Sequence, residues 1–240
     1  MNVEAFIPCF IDQFYPETAE NFIRVLEKAG CSVTYNPEQT CCGQPAFNSG
    51  YWNETRTVAL KFLDIFSKAD NVVSPSASCT GFVRNNYSKI FKEDGFNLEK
   101  SNQLSKRLFE FTDFLVNHLK ITEFGAEFNH KVTFHDSCAG LREYGIKDEP
   151  RILLKNVKGL ELIEMENTNT CCGFGGTFAA KFHSISTAMT EQKIENALKT
   201  GAEYIVSTES SCLMNIESYI RKNRLPIKTI HIADILAQNL

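Results

Sequence analysis

Apolar residues follow two alternating rhythms along this chain. Short β-rich runs, "NVEAFIPC" (2–9), "CSVTY" (31–35) and "NVVSPSASC" (71–79), read as strands. Between them "ETAENFIRVLEKAG" sets Ala19, Phe22, Ile23 and Leu26 on one helical face, and a second helix carries Val58, Phe62, Ile65 and Phe66. The same order then returns. "KVTFHDSC" (131–138), "LELIEM" (160–165) and "YIVSTESSC" (204–212) read as strands, separated by "EPRILLKNVKG" with Leu153, Leu154 and Val157, and by a helix with Ile185, Ala188, Met189, Ile194, Ala197 and Leu198. Glycines close the first helix of each series, at Gly30 and Gly159. Both series end on similar helical text, "FTDFLVNHL" and "IADILAQNL".

Strands alternating with helices predict βαβ units and therefore an α/β fold. The repeat predicts two pseudo-symmetric halves, each a small, mostly parallel sheet flanked by helices. The break is expected within "ITEFGAEFNHK", dividing the chain into residues 1–122 and 130–240. Right-handed crossovers bring all strand C-terminal ends to one edge, the edge where open α/β sheets bind ligands.

Cysteine sharpens this picture. Nine cysteines, an odd count behind an N-terminus without a secretory signal, argue against a disulfide framework and for metal or redox chemistry in a reducing, cytoplasmic setting. Eight of them repeat: Cys9, the Cys41 and Cys42 pair and Cys79 meet Cys138, the Cys171 and Cys172 pair and Cys212 at offsets of 129, 130 and 133. Each set sits at or beyond three strand ends, so four thiols distant in sequence can converge. Four thiolates suit a Cys₄ zinc ion or an iron-sulfur cluster. Adjacent cysteines point to opposite faces of a strand, which suits a wide cluster better than a single ion. Gly43 and Gly173 permit unusual backbone angles and let amides approach the sulfurs. His135, in "HDSC", is near enough to Cys138 to reach the surroundings of a centre or to hold its loop.

The remaining signals read plainly. A formal charge of −4 with interspersed signs and only the short "RKNR" cluster argues against nucleic acid, and no run is long enough to insert in a membrane. "GFGG" lacks the third glycine of a dinucleotide fingerprint. Cys31 has no repeat partner and reads as core, as do Phe111, Phe114, Leu115 and Leu119. His183 and His231 open helices in solvent-facing or capping roles, while His118 and His130 carry no role.

The stretches "FYPETAENFIRVLEKAGCSV", "EQTCCGQPAFNSGY", "HDSCAGLREYGI", "NTCCGFGGTF" and "SSCLMNI" resemble the CCG cysteine-rich domain family across nearly the whole chain. That family includes heterodisulfide reductase B subunits, and the likeness is greatest to its lactate-utilisation branch. The resemblance implies two iron-sulfur clusters, [4Fe-4S] favoured, on the eight repeated cysteines. It also implies electron transfer beside companion iron-sulfur and lactate-utilisation proteins in a system oxidising L-lactate to pyruvate. The family's fuller pattern has a fifth cysteine per site; here Phe82 and Asn215 stand there. This departure weakens the alternative of a thiol-disulfide reductase. A zinc-stapled scaffold, with zinc in at least one site, is the third reading.

Overall fold

Val72, Val73 and Ser74 are all buried, as expected of a parallel strand covered on both faces. The computed structural model describes residues 1–240. The first half runs β1 (Asn2–Ala5), α1 (Cys9–Phe14), α2 (Pro16–Lys28), β2 (Ser32–Thr34), α3 (Gln44–Asn48), α4 (Trp52–Phe66), β3 (Val72–Ser74), α5 (Ala77–Ile90), α6 (Gly95–Ser105), β4 (Leu108–Glu110), α7 (Phe111–Asp113) and a π-helical turn, Phe114–Leu119. The second runs β5 (Lys131–Phe134), a π-helical turn (Ala139–Tyr144), α8 (Glu149–Lys155), β6 (Glu161–Leu162), α9 (Thr177–Lys181), α10 (His183–Leu198), β7 (Tyr204–Ser207), α11 (Ser210–Asn223), β8 (Lys228–His231) and α12 (Ile232–Leu236).

Every strand pair is parallel. The sheets have the orders β2-β1-β3-β4 and β6-β5-β7-β8, with Val3 opposite Val33 in one and Val132 opposite Leu162 in the other. The α/β fold with two similar halves is therefore as the patterning predicts. In each sheet the chain crosses from its first strand to one flank and returns to the other. The topological switch point thus falls between β1 and β3, and between β5 and β7.

Helix faces follow their apolar spacing, with one exception. In α2 Phe22, Val25 and Leu26 are buried, and in α4 Phe62, Leu63 and Phe66. In α10 the expected Ile185 and Ala188 are exposed. The N-terminal part of that helix buries Ser186, Thr190 and Lys193 instead, before Ile194 and Ala197 restore an apolar face. Gly30 lies just past α2, whereas Gly159 stands four residues past the end of α8. The "FTDFLVNHL" segment widens from α- to π-helix at Phe114, and Lys120, at φ 60°, ends it.

The largest apolar cluster draws on both halves, joining Phe22, Phe111 and Phe114 to Val132, Leu153, Ile232 and Leu236. Phe124 and Ala126, from the segment between the halves, are buried in it. Smaller clusters lie within each half, around Phe62, Phe82 and Tyr87, and around Met165, Ile194 and Ile216. Helix α2 packs on α12, and α5 on the Ala139–Tyr144 turn, so each half braces the other. No helix is long and apolar enough to cross a membrane.

Candidate metal centres

Each cysteine occupies the same kind of position in both halves. Cys9 opens α1 just after β1, and Cys138 precedes the Ala139–Tyr144 turn just after β5. Cys79 and Cys212 lie in the first turns of α5 and α11, beyond β3 and β7. The paired cysteines come from the loops after β2 and β6. Gly43 and Gly173, at φ 90° and 89°, turn the chain immediately after each pair. This left-handed turn lets neighbouring thiols serve one point, and it aims an amide at the first sulfur: Gly43 N–H donates to Cys41 Sγ and Gly173 N–H to Cys171 Sγ, each at 3.4 Å.

Within each set the thiols form a contact chain: Cys9 to Cys41, Cys41 to Cys42 and Cys42 to Cys79 in the first, Cys138 to Cys171, Cys171 to Cys172 and Cys172 to Cys212 in the second. Hydrogen bonds from Cys42 and Cys9, helped by the Gly43 amide, hold the Cys41 thiol well below its ordinary range. Those from Cys138 and Cys172, with the Gly173 amide, do the same for Cys171. The donors respond oppositely. Donation to Cys41 and then burial push Cys9 up, and donation to Cys41 and Cys79 and then burial push Cys42 up. Each set therefore offers one ready thiolate inside a group of four soft donors, which suits a thiophilic metal. All of these cysteines except Cys41 line one cavity of about 320 Å³ between the halves, where the rings of Phe10 and Phe174 meet at 5.8 Å.

The surroundings of the two sets differ. Beside the first, Phe6 meets Phe62 edge-on at 4.8 Å, Phe82 meets Phe47 at 5.1 Å, and the Tyr87 hydroxyl donates to the Cys42 carbonyl at 2.9 Å. Beside the second, His135 occupies the place of Phe6 and Lys193 that of Phe62 in the repeat. The Cys172 carbonyl accepts from Thr190 Oγ1 at 2.8 Å and from Asn215 Nδ2 at 3.0 Å. Lys193, fully buried, donates through Nζ to the carbonyls of Asn167 and Thr168 at 2.8 and 3.0 Å. Burial brings its ammonium down to about 8. Burial, aided by the Lys193 charge, brings His135 down to about 3, so its ring is neutral at physiological pH. Neither ring nitrogen has a hydrogen-bond partner, and a ring nitrogen lies within 4.8 Å of the sulfurs of Cys172 and Cys212. His135 thus does not hold its loop through the ring. Its neighbour Asp136 is taken by Arg151 in a two-pronged pair at 2.9 and 3.0 Å.

A carboxylate links the sets. Glu209, just before α11, accepts from Ser78 N–H at 2.9 Å and Ser76 Oγ at 3.1 Å. A residue three positions before Cys212 therefore secures the helix start that carries Cys79.

The other marked residues sit apart. Cys31 is buried in the shared core. His118 stacks on Phe114 at 5.0 Å, His130 pairs with Glu203 at 2.9 Å, and His183 is exposed at the start of α10. His231 is buried rather than solvent-facing, and it caps α12 by accepting from Ala233 N–H at 3.2 Å. The glycines of "GFGG" lead into the five-residue α9. Lys193 and Glu209 escape periodicity because each is a polar residue on a buried face. Aligning α10 with α4 exposes the first, since Lys193 then falls on Phe62.

The profile of the CCG cysteine-rich domain matches residues 3–84 and again 132–217. "Lactate utilization protein A 1" of Bacillus mycoides is 43% identical over 240 residues, covering 100% of this chain and 98% of that one. "Lactate utilization protein A" of Exiguobacterium sp. is 40% identical over 241 residues, with 100% and 98% covered. Among solved structures, a hypothetical protein from Helicobacter pylori superposes with a TM-score of 0.63 at 10% identity, a likeness of fold alone that covers 98% of this chain and 48% of that structure's chain. With both cysteine sets inside a twice-matched profile and such relatives along its full length, the chain belongs to the CCG cysteine-rich domain family.

Proposed function

We propose that this protein is the iron-sulfur electron-transfer subunit of a multi-protein system that oxidises L-lactate to pyruvate. One cluster is held by Cys9, Cys41, Cys42 and Cys79 in a domain of residues 1–122, and another by Cys138, Cys171, Cys172 and Cys212 in a domain of residues 130–240. The single observation that carries this reading is the gathering of two four-thiol sets at equivalent switch points, both reaching one cavity. The donor set fits the group: four soft sulfurs per site, one favouring the thiolate, each with a backbone amide at 3.4 Å. A bound cluster takes up and releases single electrons. The chain's own part is to supply the thiolates, aim the Gly43 and Gly173 amides at sulfur and limit water through the buried Cys42, Cys172 and Cys212. The names of the relatives supply the lactate assignment, and companion proteins supply the chemistry on lactate itself.

Anaerobic purification with iron, sulfide and zinc analysis tests this. Cys42→Ser and Cys172→Ser should each remove about half the iron and one paramagnetic signal, and each should abolish lactate-dependent growth. Full iron content and normal growth in both variants would overturn the assignment.

One observation favours a second reading, a thiol-disulfide reductase: the shared cavity is large enough to admit a small molecule to the cysteines. Against it, both fifth-cysteine positions are committed elsewhere, Phe82 to the apolar cluster and Asn215 to the Cys172 carbonyl. Disulfide reduction by the isolated, cluster-loaded protein would reverse this order.

A further inference from the structure

A buried imidazole with no hydrogen bond at either nitrogen requires a physical reason. Leaving a buried polar atom unpaired forfeits its hydration with nothing in return, and native proteins rarely tolerate it without an unseen partner. His135 leaves two such atoms unpaired at 0% exposure. Its backbone is fully used: its N–H donates to the Val206 carbonyl at 2.8 Å, and its carbonyl accepts from Ser207 Oγ at 3.0 Å. The side chain is therefore fixed in place by the strand extension beyond β5 and not by bonds of its own.

The unpaired ring lies beside donors. A His135 nitrogen and the sulfurs of Cys172 and Cys212 all fall within 4.8 Å of one another. Ligands of one tetrahedral metal, with bonds of about 2.3 Å to sulfur and 2.0–2.1 Å to nitrogen, stand roughly 3.5–3.8 Å apart, so a closure of about 1 Å completes the geometry. Competing partners are absent from the ring. Asp136 is held by Arg151, and the Lys193 ammonium is spent on two carbonyls. In the first half the repeat places Phe6 here, a ring without a lone pair that packs against Phe62.

We infer that His135 is a donor to the second centre, its imidazole nitrogen taking one of the four coordination places beside Cys172 and Cys212 in place of one of the two less buried thiols, Cys138 or Cys171, so that the second centre is a mixed nitrogen and sulfur site while the first is sulfur alone. This rests on the reading above that a metal centre occupies the second set. A ring nitrogen bound to metal leaves one buried atom to account for in place of two, and the neutral ring supplies the required lone pair.

The test uses full-length protein carrying Cys41→Ser and Cys42→Ser, which confines metal to the second set, grown with ¹⁵N-histidine and loaded anaerobically with iron and sulfide. Pulsed electron paramagnetic resonance of the reduced centre should show the strong ¹⁵N coupling of a directly bound nitrogen. His135→Phe, which copies the first half, and His135→Gln should each lose that coupling, with a downward shift of the centre's potential. An assembled cluster with only weak, unbound-type nitrogen coupling overturns the inference and leaves the iron-sulfur reading standing. If the set takes zinc and no iron, the iron-sulfur reading fails, and X-ray absorption at the zinc edge decides the inference separately. One nitrogen among sulfurs upholds it, and an all-sulfur shell overturns it. Because the wild-type histidine is read directly, a variant that fails to fold does not block the decision.

Discussion

The two cysteine sets share a backbone and differ in what surrounds it. Both have the same strand ends, the same left-handed glycine and the same amide-to-sulfur distance of 3.4 Å. Beside the first lie Phe6, Phe62, Phe82 and Tyr87; beside the second lie His135, Thr190, Lys193 and Asn215. The repeated backbone places four donors, a requirement common to both. The neighbours set the charge and polarity that tune a bound centre, and these have diverged. One half keeps its thiols against rings, while the other adds a cation and an unpaired imidazole.

The largest contrast should come from the glycines. Alanine at either position meets a left-handed backbone, which costs about 1–2 kcal/mol. At Gly43 an added Cβ finds neighbours no nearer than 3.6 Å, so Gly43→Ala should lose little more than that. At Gly173 the Cβ would stand 2.5 Å from the Ser186 carbonyl oxygen, so Gly173→Ala should lose a further 1–3 kcal/mol or so through forced repacking. Denaturant unfolding of the metal-free variants reads the difference. Equal losses would mean that the space around the two turns differs less than the 3.6 and 2.5 Å approaches imply.

How far sequence carries this comparison depends on which physical feature is asked for. The sheets, the repeat and the gathering of Cys9, Cys41, Cys42 and Cys79 with their counterparts follow from apolar rhythm and cysteine spacing, because strand order and crossover hand leave few other arrangements. The role of Gly43 and Gly173 also follows, since a glycine after two cysteines announces a turn. The face of α10 does not. Ile185 and Met189 have helical spacing, yet Ser186, Thr190 and Lys193 are the residues turned inward, because Thr190 bonds to the Cys172 carbonyl and Lys193 to the loop carbonyls of Asn167 and Thr168. Polar burial of this kind has no periodic signature. Nor does the shared core: that Phe22 and Ile232 meet in one cluster is a matter of how the halves pack and not of their separate patterns.

Equivalent positions also diverge at the ends of the last strands. Glu110 follows β4's apolar start and caps α7 through Thr112 N–H at 2.7 Å, while His231 ends β8 and caps α12. Burial raises Glu110 to about 8 from an ordinary 4.5, and burial lowers His231 below its ordinary 6.5. For Glu110 the folded state holds a proton that the unfolded chain gives up, so its contribution is full below about 4.5 and falls as pH rises toward 8. For His231 the unfolded chain takes up a proton that the folded state refuses, so its contribution is full above 6.5 and falls as pH drops below it. Each slope can reach roughly 1.4 kcal/mol per pH unit. Glu110→Gln should flatten the loss on the alkaline side and His231→Gln the loss on the acid side, as read from unfolding free energies across pH. A wild-type slope retained in both variants would remove these two groups from the account.

The smallest effect tests whether the divergence around the second set reaches its electrons. Lys193 is the one cation buried among that set's neighbours, and the repeat gives the first set Phe62 instead. With its ammonium at about 8, it is mostly charged at neutral pH. A buried positive charge favours the reduced, more negative form of a nearby centre, so Lys193→Met should lower the potential of the second centre by an amount on the order of tens of millivolts. The first centre should not move. Potentiometric titration followed by electron paramagnetic resonance separates the two signals, with Cys42→Ser and Cys172→Ser as references for which is which. Equal shifts in both would show that the charge acts on the whole cavity and not on one half. No shift in either would mean that Asn167 and Thr168, which accept both of its hydrogen bonds, already neutralise the lysine's field.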